Sequence, residues 1–310
     1  MWPDCHVGAR QGHMQVRARR RLGVDLGGTK IEGVVLGEAQ TPLVRERVPT
    51  ESARGYEHIL GRIGQVVERL REHAPGCEVI GIGTPGAISA RTGRIKNSNT
   101  ACLNGRPLRE DLQALLGLEV RIENDANLFA LAEAVAGAGQ GADVVFGVIM
   151  GTGVGGGIVV RGELLRGPQH LAGEWGHHSI DQAGPPCYCG QRGCVECYLS
   201  GPAVEEQYRQ RSGMVLAMPG IAGAFRRGEA DAVAVFGGFL DRFGRALANV
   251  IDILDPEVVV LGGGLSNLEE LYTLGRDAVR RYVFNDELRT EMRRNVLGDS
   301  AGVIGAALLT

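Results

Sequence analysis

The sequence predicts an α/β protein of two similar domains that face each other across a shared cleft. Residues 20–36, R-R-L-G-V-D-L-G-G-T-K-I-E-G-V-V-L, form two apolar runs split by a glycine turn, which reads as strand, tight turn and returning strand. Residues 145–160, V-F-G-V-I-M-G-T-G-V-G-G-G-I-V-V, repeat that plan, and sliding one on the other matches Gly23 with Gly147, Val24 with Val148, Gly27 with Gly151 and Gly33 with Gly157. Strands also hand over to helices elsewhere. V-R-I-E-N-D-A-N-L-F-A-L-A-E-A (120–134) is a strand followed by an Ala/Leu-rich helix, and a helix over 239–254 feeds the strand E-V-V-V-L (257–261).

Taken in order, residues 1–19 show no periodicity and read as an irregular arm, with Met14 a candidate start. The turn Gly27-Gly28-Thr29-Lys30 exposes backbone N–H groups that can cradle phosphate oxygens, although taken alone a plain hairpin explains it equally well. It is neither G-x-G-x-x-G nor the P-loop pattern. Ile59, Leu60, Ile63, Val66, Val67 and Leu70 fall at helical spacing and predict an amphipathic helix. V-I-G-I-G-T-P-G-A-I (79–88) is a buried strand running into a Thr84-Pro85-Gly86 turn. The loop after it carries Asn97, Asn99 and Asn104, amides that suit either polyol hydroxyls or turns.

Asp125 follows a strand that ends at Glu123, and the carboxyl ends of strands are where open α/β sheets place ligands. A carboxylate there can serve as no more than a helix cap, but three acidic or amide side chains in a row exceed what one cap needs. Residues 201–235 give mixed helical signals. Phe239, Leu240, Phe243, Leu247, Val250, Ile251 and Leu254 share one helical face, closed by Asp255-Pro256. Gly262-Gly263-Gly264 ends the last long strand and allows a flat group such as an adenine to lie against backbone, although a bare strand-to-helix turn explains it as well. D-S-A-G-V-I-G-A-A-L-L (299–309) reads as a closing apolar helix packed back on the first domain.

The stretch from Glu174 to Glu196 carries a metal signature. His177, Cys187, Cys189 and Cys194 form an H-x9-C-x-C-x4-C series among Gly and Pro residues, the donor set of a closed tetrahedral zinc site. Glu174 and Glu196 bracket it, and a purely structural zinc knuckle has no need of them. Seven cysteines, three of them in this cluster, suit a reducing cytosol better than a disulfide framework. A net charge of -3 argues against a nucleic-acid-coating protein, and no run approaches the roughly 20 apolar residues of a membrane span. The protein is therefore expected to be cytoplasmic.

The motifs V-D-L-G-G-T-K, E-N-D-A-N, G-T-G-V-G-G-G, G-E-W-G-H, C-Y-C-G-Q-R-G-C-V-E and V-V-V-L-G-G-G-L-S-N, in this order, resemble the ROK family of sugar kinases and repressors across residues 21–310. The resemblance implies an actin-like, ribonuclease-H-like two-domain fold with ATP in the cleft. It implies a small domain over 20–124, completed by the helix at about 299–310, and a large domain over 125–298 with the zinc loop at 177–194. Asp125 would be the general base for the sugar hydroxyl and Asn124 would hold a neighbouring hydroxyl. Gly27, Gly28, Thr29, Lys30, Gly151, Thr152 and Gly153 would hold phosphates, Asp25 would sit in the water shell of Mg²⁺, and Gly263 and Gly264 would face the adenosine.

Glu174, His177, Glu196 and Asn104 would bind the sugar, with one ring nitrogen of His177 on zinc and the other on a hydroxyl. The K-N-S-N-T-A-C-L-N-G-R-P-L run, with Asn104, and Trp175 look most similar to bacterial fructokinases of the manno(fructo)kinase type, so fructose is the expected acceptor. Glucokinase and N-acetylglucosamine kinase are the alternatives within the family. A non-catalytic sugar-sensing regulator is the alternative outside it, against which stand the intact Asp25 and Asp125 and an N-terminal segment too short for a winged helix-turn-helix. A homodimer is implied by the family.

Overall fold

The computed structural model describes residues 20–310, so the expected irregular arm and its candidate start at Met14 lie outside the described residues. The chain opens with β1 (Arg21–Leu26), β2 (Lys30–Leu36) and β3 (Pro42–Pro49), then α1 (Tyr56–Arg71), β4 (Val79–Thr84) and the short pair β5 (Ala87–Ile88) and β6 (Ile95–Lys96). α2 (Leu108–Leu116), β7 (Glu119–Asn124) and α3 (Asp125–Ala136) follow, and then β8 (Val144–Met150), β9 (Val154–Val160) and β10 (Glu163–Leu164). After the cysteine loop come α4 (Glu196–Leu199), α5 (Gly201–Ser212), α6 (Met218–Arg226), α7 (Ala230–Leu254), β11 (Val258–Gly262), α8 (Leu274–Tyr282), β12 (Glu291–Arg294) and α9 (Ala301–Leu308).

Two five-stranded sheets result, ordered β3-β2-β1-β4-β7 and β10-β9-β8-β11-β12. Each is antiparallel on its hairpin side and parallel beyond it. The strands are apolar because both faces are covered. One core lies between the first sheet and α1 and α2, with the Ile59, Leu60, Ile63, Val66, Val67 and Leu70 face of α1 buried in it as its spacing predicts. A second lies between the second sheet and α4 to α8. The third joins the sheets through α3 and α9, giving an α/β/α/β/α stack. This is the actin-like, ribonuclease-H-like two-domain arrangement.

The internal repeat has a packing reason. A Cβ on Gly23 would come within 2.2 Å of the Ala307 backbone nitrogen in α9, and one on Gly147 would meet Ala130 of α3 at 2.6 Å. Equivalent glycines thus let equivalent helices touch their sheets. The two turns are not identical. Leu26 pairs with Ile31 across four residues, whereas Met150 pairs with Val154 across three, so the second turn is one residue tighter.

Candidate active site

Two cavities meet at the second glycine turn. One, about 710 Å³, is walled by Lys96, Asn97 and Asn99 of the first domain, by Asn124 and Asp125 at the start of α3, by Gly151 to Gly156, and by Glu174, His177, Tyr188 and Glu196 of the cysteine loop. The other, about 490 Å³, is walled by Gly151, Thr152, Gly201, Glu205, Met218, Ala222, Arg226, Gly264 and Asn267. Gly151 and Thr152 belong to both. A molecule in each would meet over that turn.

Asp125 stands at the head of α3. The cap is Asn124, whose Oδ1 accepts the Asn127 backbone N–H at 2.7 Å, so Asp125 is not needed for capping. Its carboxylate is reachable from the cavity yet walled by protein, and that enclosure raises its pKa against the opposing effect of the Ala126 N–H at 2.9 Å. Asp25 lies across from it at the end of β1. Burial, then the charges of Asp125 and Glu32, raise Asp25 to about 6, while Lys30 works the other way. A Cβ on Gly83 or on Gly302 would each sit 2.8 Å from an Asp25 oxygen. The two glycines let the chain close against this carboxylate, and Asp25 lines neither cavity. Two carboxylates in each other's field are a donor pair that suits a divalent cation.

The first turn is stapled to β3 by Thr50, whose N–H donates to Thr29 O at 2.9 Å and whose hydroxyl donates to Gly27 O at 2.7 Å. Gly27, Gly28, Thr29 and Lys30 line neither cavity. Lys30 is paired with the buried Glu32 at 3.3 Å, which also holds Arg47 at 2.7 Å. The second turn is bound from behind: Val154 N–H donates to Glu196 Oε2 at 2.9 Å and Gly201 N–H to Gly151 O at 2.8 Å.

The donor atoms of His177, Cys187, Cys189 and Cys194 lie within 4.8 Å of one another. Cys187 Sγ is 3.6 Å from His177 Nδ1, and Cys189 Sγ is 3.6 Å from Cys194 Sγ. Tetrahedral zinc with bonds of about 2.0–2.3 Å requires ligand separations of roughly 3.3–3.8 Å, so these residues fit the ion. Nδ1 faces the thiols, which leaves Nε2 for the cavity. Cys197 is outside this four-residue set, and its Sγ lies 3.9 Å from the Pro186 carbonyl.

Two expectations need correction. Asn104 is absent from the cavity wall: its Nδ2 donates to Ser98 O at 2.8 Å and its Oδ1 accepts Ser98 N–H at 2.9 Å, so the amide closes its own loop. Gly263 does not face the nucleotide-sized cavity. Its φ of 78° makes the turn, and a Cβ there would lie 2.3 Å from Met150 O; Gly264 alone of the pair lines the cavity. Trp175 is buried, with its indole N–H on Ala246 O at 3.2 Å and its ring edge-on to Phe146, so it has no part in the cavity.

Asn97 and Asn99 do the lining instead, standing exposed on either side of buried Ser98. That alternation was readable in K-N-S-N. Glu205 and Tyr188 had no signal of their own. Glu205 comes from a helix with weak periodicity, and Tyr188 stands between two cysteines that draw the attention.

Known proteins share this fold. The sequence profile of the ROK family matches residues 21–310. The chain is 37% identical over 298 residues to the N-acetyl-D-glucosamine kinase of Haemophilus influenzae, covering 93% of this chain and 98% of that one. Among solved structures it resembles a ROK hexokinase from Thermus thermophilus, with a TM-score of 0.85 and 35% identity over 93% of this chain and 97% of that one. It also resembles a ROK family glucokinase from Streptomyces griseus in complex with glucose and AMPPNP, with a TM-score of 0.73 and 31% identity over 94% and 99% of the two chains.

Proposed function

Since the chain belongs to the ROK family and is an ATP-dependent sugar kinase, we propose that it transfers the γ-phosphate of ATP to the 6-hydroxyl of N-acetyl-D-glucosamine. The observation that carries the reaction is the placement of Asp125 in the wall of one cavity that shares Gly151 and Thr152 with the other. The name of the curated relatives carries the acceptor. Fructose rested on the likeness of the 96–108 run and of Trp175 to fructokinases, whereas the curated relatives are N-acetyl-D-glucosamine kinases. The acetamido sugar, an alternative on sequence alone, therefore replaces it.

The sugar occupies the larger cavity against Asn97, Asn99, Asn124, Glu174, His177 and Glu196. Amides and carboxylates on facing walls match the donor and acceptor pairs of neighbouring hydroxyls. Adenosine occupies the smaller cavity against Gly264, with the phosphates over Gly151, Thr152 and Gly153. Asp125 accepts the proton of the attacking hydroxyl, and the enclosure that raises its pKa makes it a stronger base. Gly27, Gly28, Thr29 and Lys30 reach the phosphates when the two sheets close over the substrates.

Asp25 would hold Mg²⁺ through water. Bound there, the ion offsets charge on the β- and γ-phosphates. His177, Cys187, Cys189 and Cys194 would hold zinc, which fixes the tautomer and direction of His177. A homodimer and cytoplasmic residence, where ATP is made, belong to the same reading; light scattering tests the first.

Comparing kcat/KM for N-acetylglucosamine, glucose, mannose and fructose tests the acceptor. N-acetylglucosamine is expected to lead, and a tenfold lead for fructose would sink the reading. Asp125→Asn tests the base. Sugar affinity should stay within a few-fold while kcat falls by about 10² to 10⁴, the range for a lost general base. Near-normal turnover would remove Asp125 from that role.

A further inference from the structure

Tyr188 is the anomaly of the cleft. It is a large aromatic side chain, 78% exposed, on the rim of an otherwise polar cavity. An exposed tyrosine ordinarily points its hydroxyl to water. Here the hydroxyl lies 2.9 Å from His177 Nε2, and the two rings meet edge to face with centroids 5.0 Å apart.

The tautomer decides what that contact means. His177 Nδ1 faces Cys187 at 3.6 Å within the four-residue donor set. With Nδ1 committed to the metal, the ring proton is on Nε2, and the Tyr188 oxygen accepts it. His177 then has a single N–H to offer the cavity, and a linear hydrogen bond at this distance serves one acceptor.

We propose that Tyr188 occupies, in the sugar-free enzyme, the one hydrogen bond His177 offers to a sugar hydroxyl, and so sets sugar affinity by competition. The inference rests on the assignment of this cavity to the sugar. The phenol mimics the hydroxyl it is displaced by. Sugar binding requires the tyrosine to swing into solvent, which its exposure permits without disturbing the core. Only the fraction of molecules with Tyr188 released is competent, and apparent affinity falls by that fraction. One net hydrogen bond of ordinary strength makes the factor about three to ten.

The test is sugar binding by calorimetry on the zinc-replete full chain, wild type against Tyr188→Phe, with N-acetylglucosamine and glucose as probes. Phenylalanine keeps the ring and removes the acceptor. The dissociation constant should fall about three- to tenfold for a sugar that wild type binds. In ¹⁵N spectra of the imidazole, the variant's sugar-free Nε2–H should exchange faster with water, and saturating sugar should restore protection in both proteins. Unchanged or weakened binding in Tyr188→Phe, with wild type still binding sugar, overturns the tyrosine inference alone. If neither protein binds any hexose, the assignment of the cavity falls and takes this inference with it.

Discussion

Asp25 and Asp125 show how two side chains of the same class are set to different tasks by their surroundings. Asp25 is half-buried beside another acid and is raised from 3.8 to about 6. The acid limb of the kcat/KM profile should accordingly fall off near pH 6 rather than near pH 4, because protonating Asp25 removes the charge that would hold the metal. The same shift has a sign for stability. The native state keeps this proton more tightly than the unfolded chain, so stability declines as pH rises from about 4 to about 6 and the penalty is complete above that. Asp25→Asn should raise the urea midpoint at pH 8 and leave it nearly unchanged at pH 4, while activity is lost; equal midpoints at pH 8 would contradict the burial of an ionised group. Asp125 is legible in the sequence because it follows a strand end among acidic and amide residues, whereas Asp25 is singled out only by the family resemblance. Asn104 and the fructokinase-like Trp175 gave no such positional signal. An amide in a polar loop looks the same whether it faces a sugar or its own backbone, and Trp175, next to Glu174 in sequence, turns inward onto Ala246.

At the scale of elements, the legible parts were those whose periodicity one packing face explains. α1 buries the residues that its spacing picks out, and the later half of α7 buries Phe239, Leu240, Phe243, Leu247 and Ile251, with Val250 and Leu254 partly buried beside them. α7 begins at Ala230, earlier than its pattern suggests, because Gly237 and Gly238 interrupt the apolar rhythm without interrupting the helix. α5 and α6 were obscure since each is short and packs through a few residues, such as Val204 and Tyr208 in α5. Glycine is the sharpest discriminator here, and two substitutions separate its uses. Gly81→Ala would put a Cβ 1.7 Å from the Ala306 carbonyl oxygen, driving α9 off the first sheet. A cost of about 3 kcal/mol or more is expected, with the helix unable to shift without loosening its contacts to α3. Gly61 sits in the exposed face of α1 with nothing within 4 Å of its Cβ position, so Gly61→Ala should stabilise by about 0.5–1 kcal/mol. Denaturant titrations of the two variants should move in opposite directions, and a shift in the same direction would refute the packing described for α9.

Across the whole molecule, the cysteine loop is more than one wall of a pocket. Glu196 closes the loop two residues after Cys194 and spends Oε2 on the Val154 N–H, the first residue beyond the second glycine turn. A Cβ on Gly153 would lie 2.7 Å from that same oxygen, so the turn and the glutamate are fitted to each other. Gly201, just after α4, donates to the carbonyl of Gly151. The segment that follows the proposed zinc ligands therefore holds the turn shared by both cavities. Removing zinc should act on both substrates and unequally. The KM for sugar should rise tenfold or more, because His177, Glu174 and Glu196 all lose their anchor. The KM for ATP should rise a few-fold, because the turn keeps its strand pairing in β8 and β9 while losing support from behind. Global unfolding should change less, since the loop gives the core on the second sheet only Trp175 and Val195, with Ile180 against them, and gives the core on the first sheet nothing. The measurement is steady-state kinetics on chelator-treated enzyme with zinc added back, beside a thermal melt of the same samples. A change confined to the sugar KM would show that Glu196 and Gly201 do not transmit to the turn. A melt that collapses along with both constants would make the ion a fold staple, and the division of labour argued for the loop would be lost.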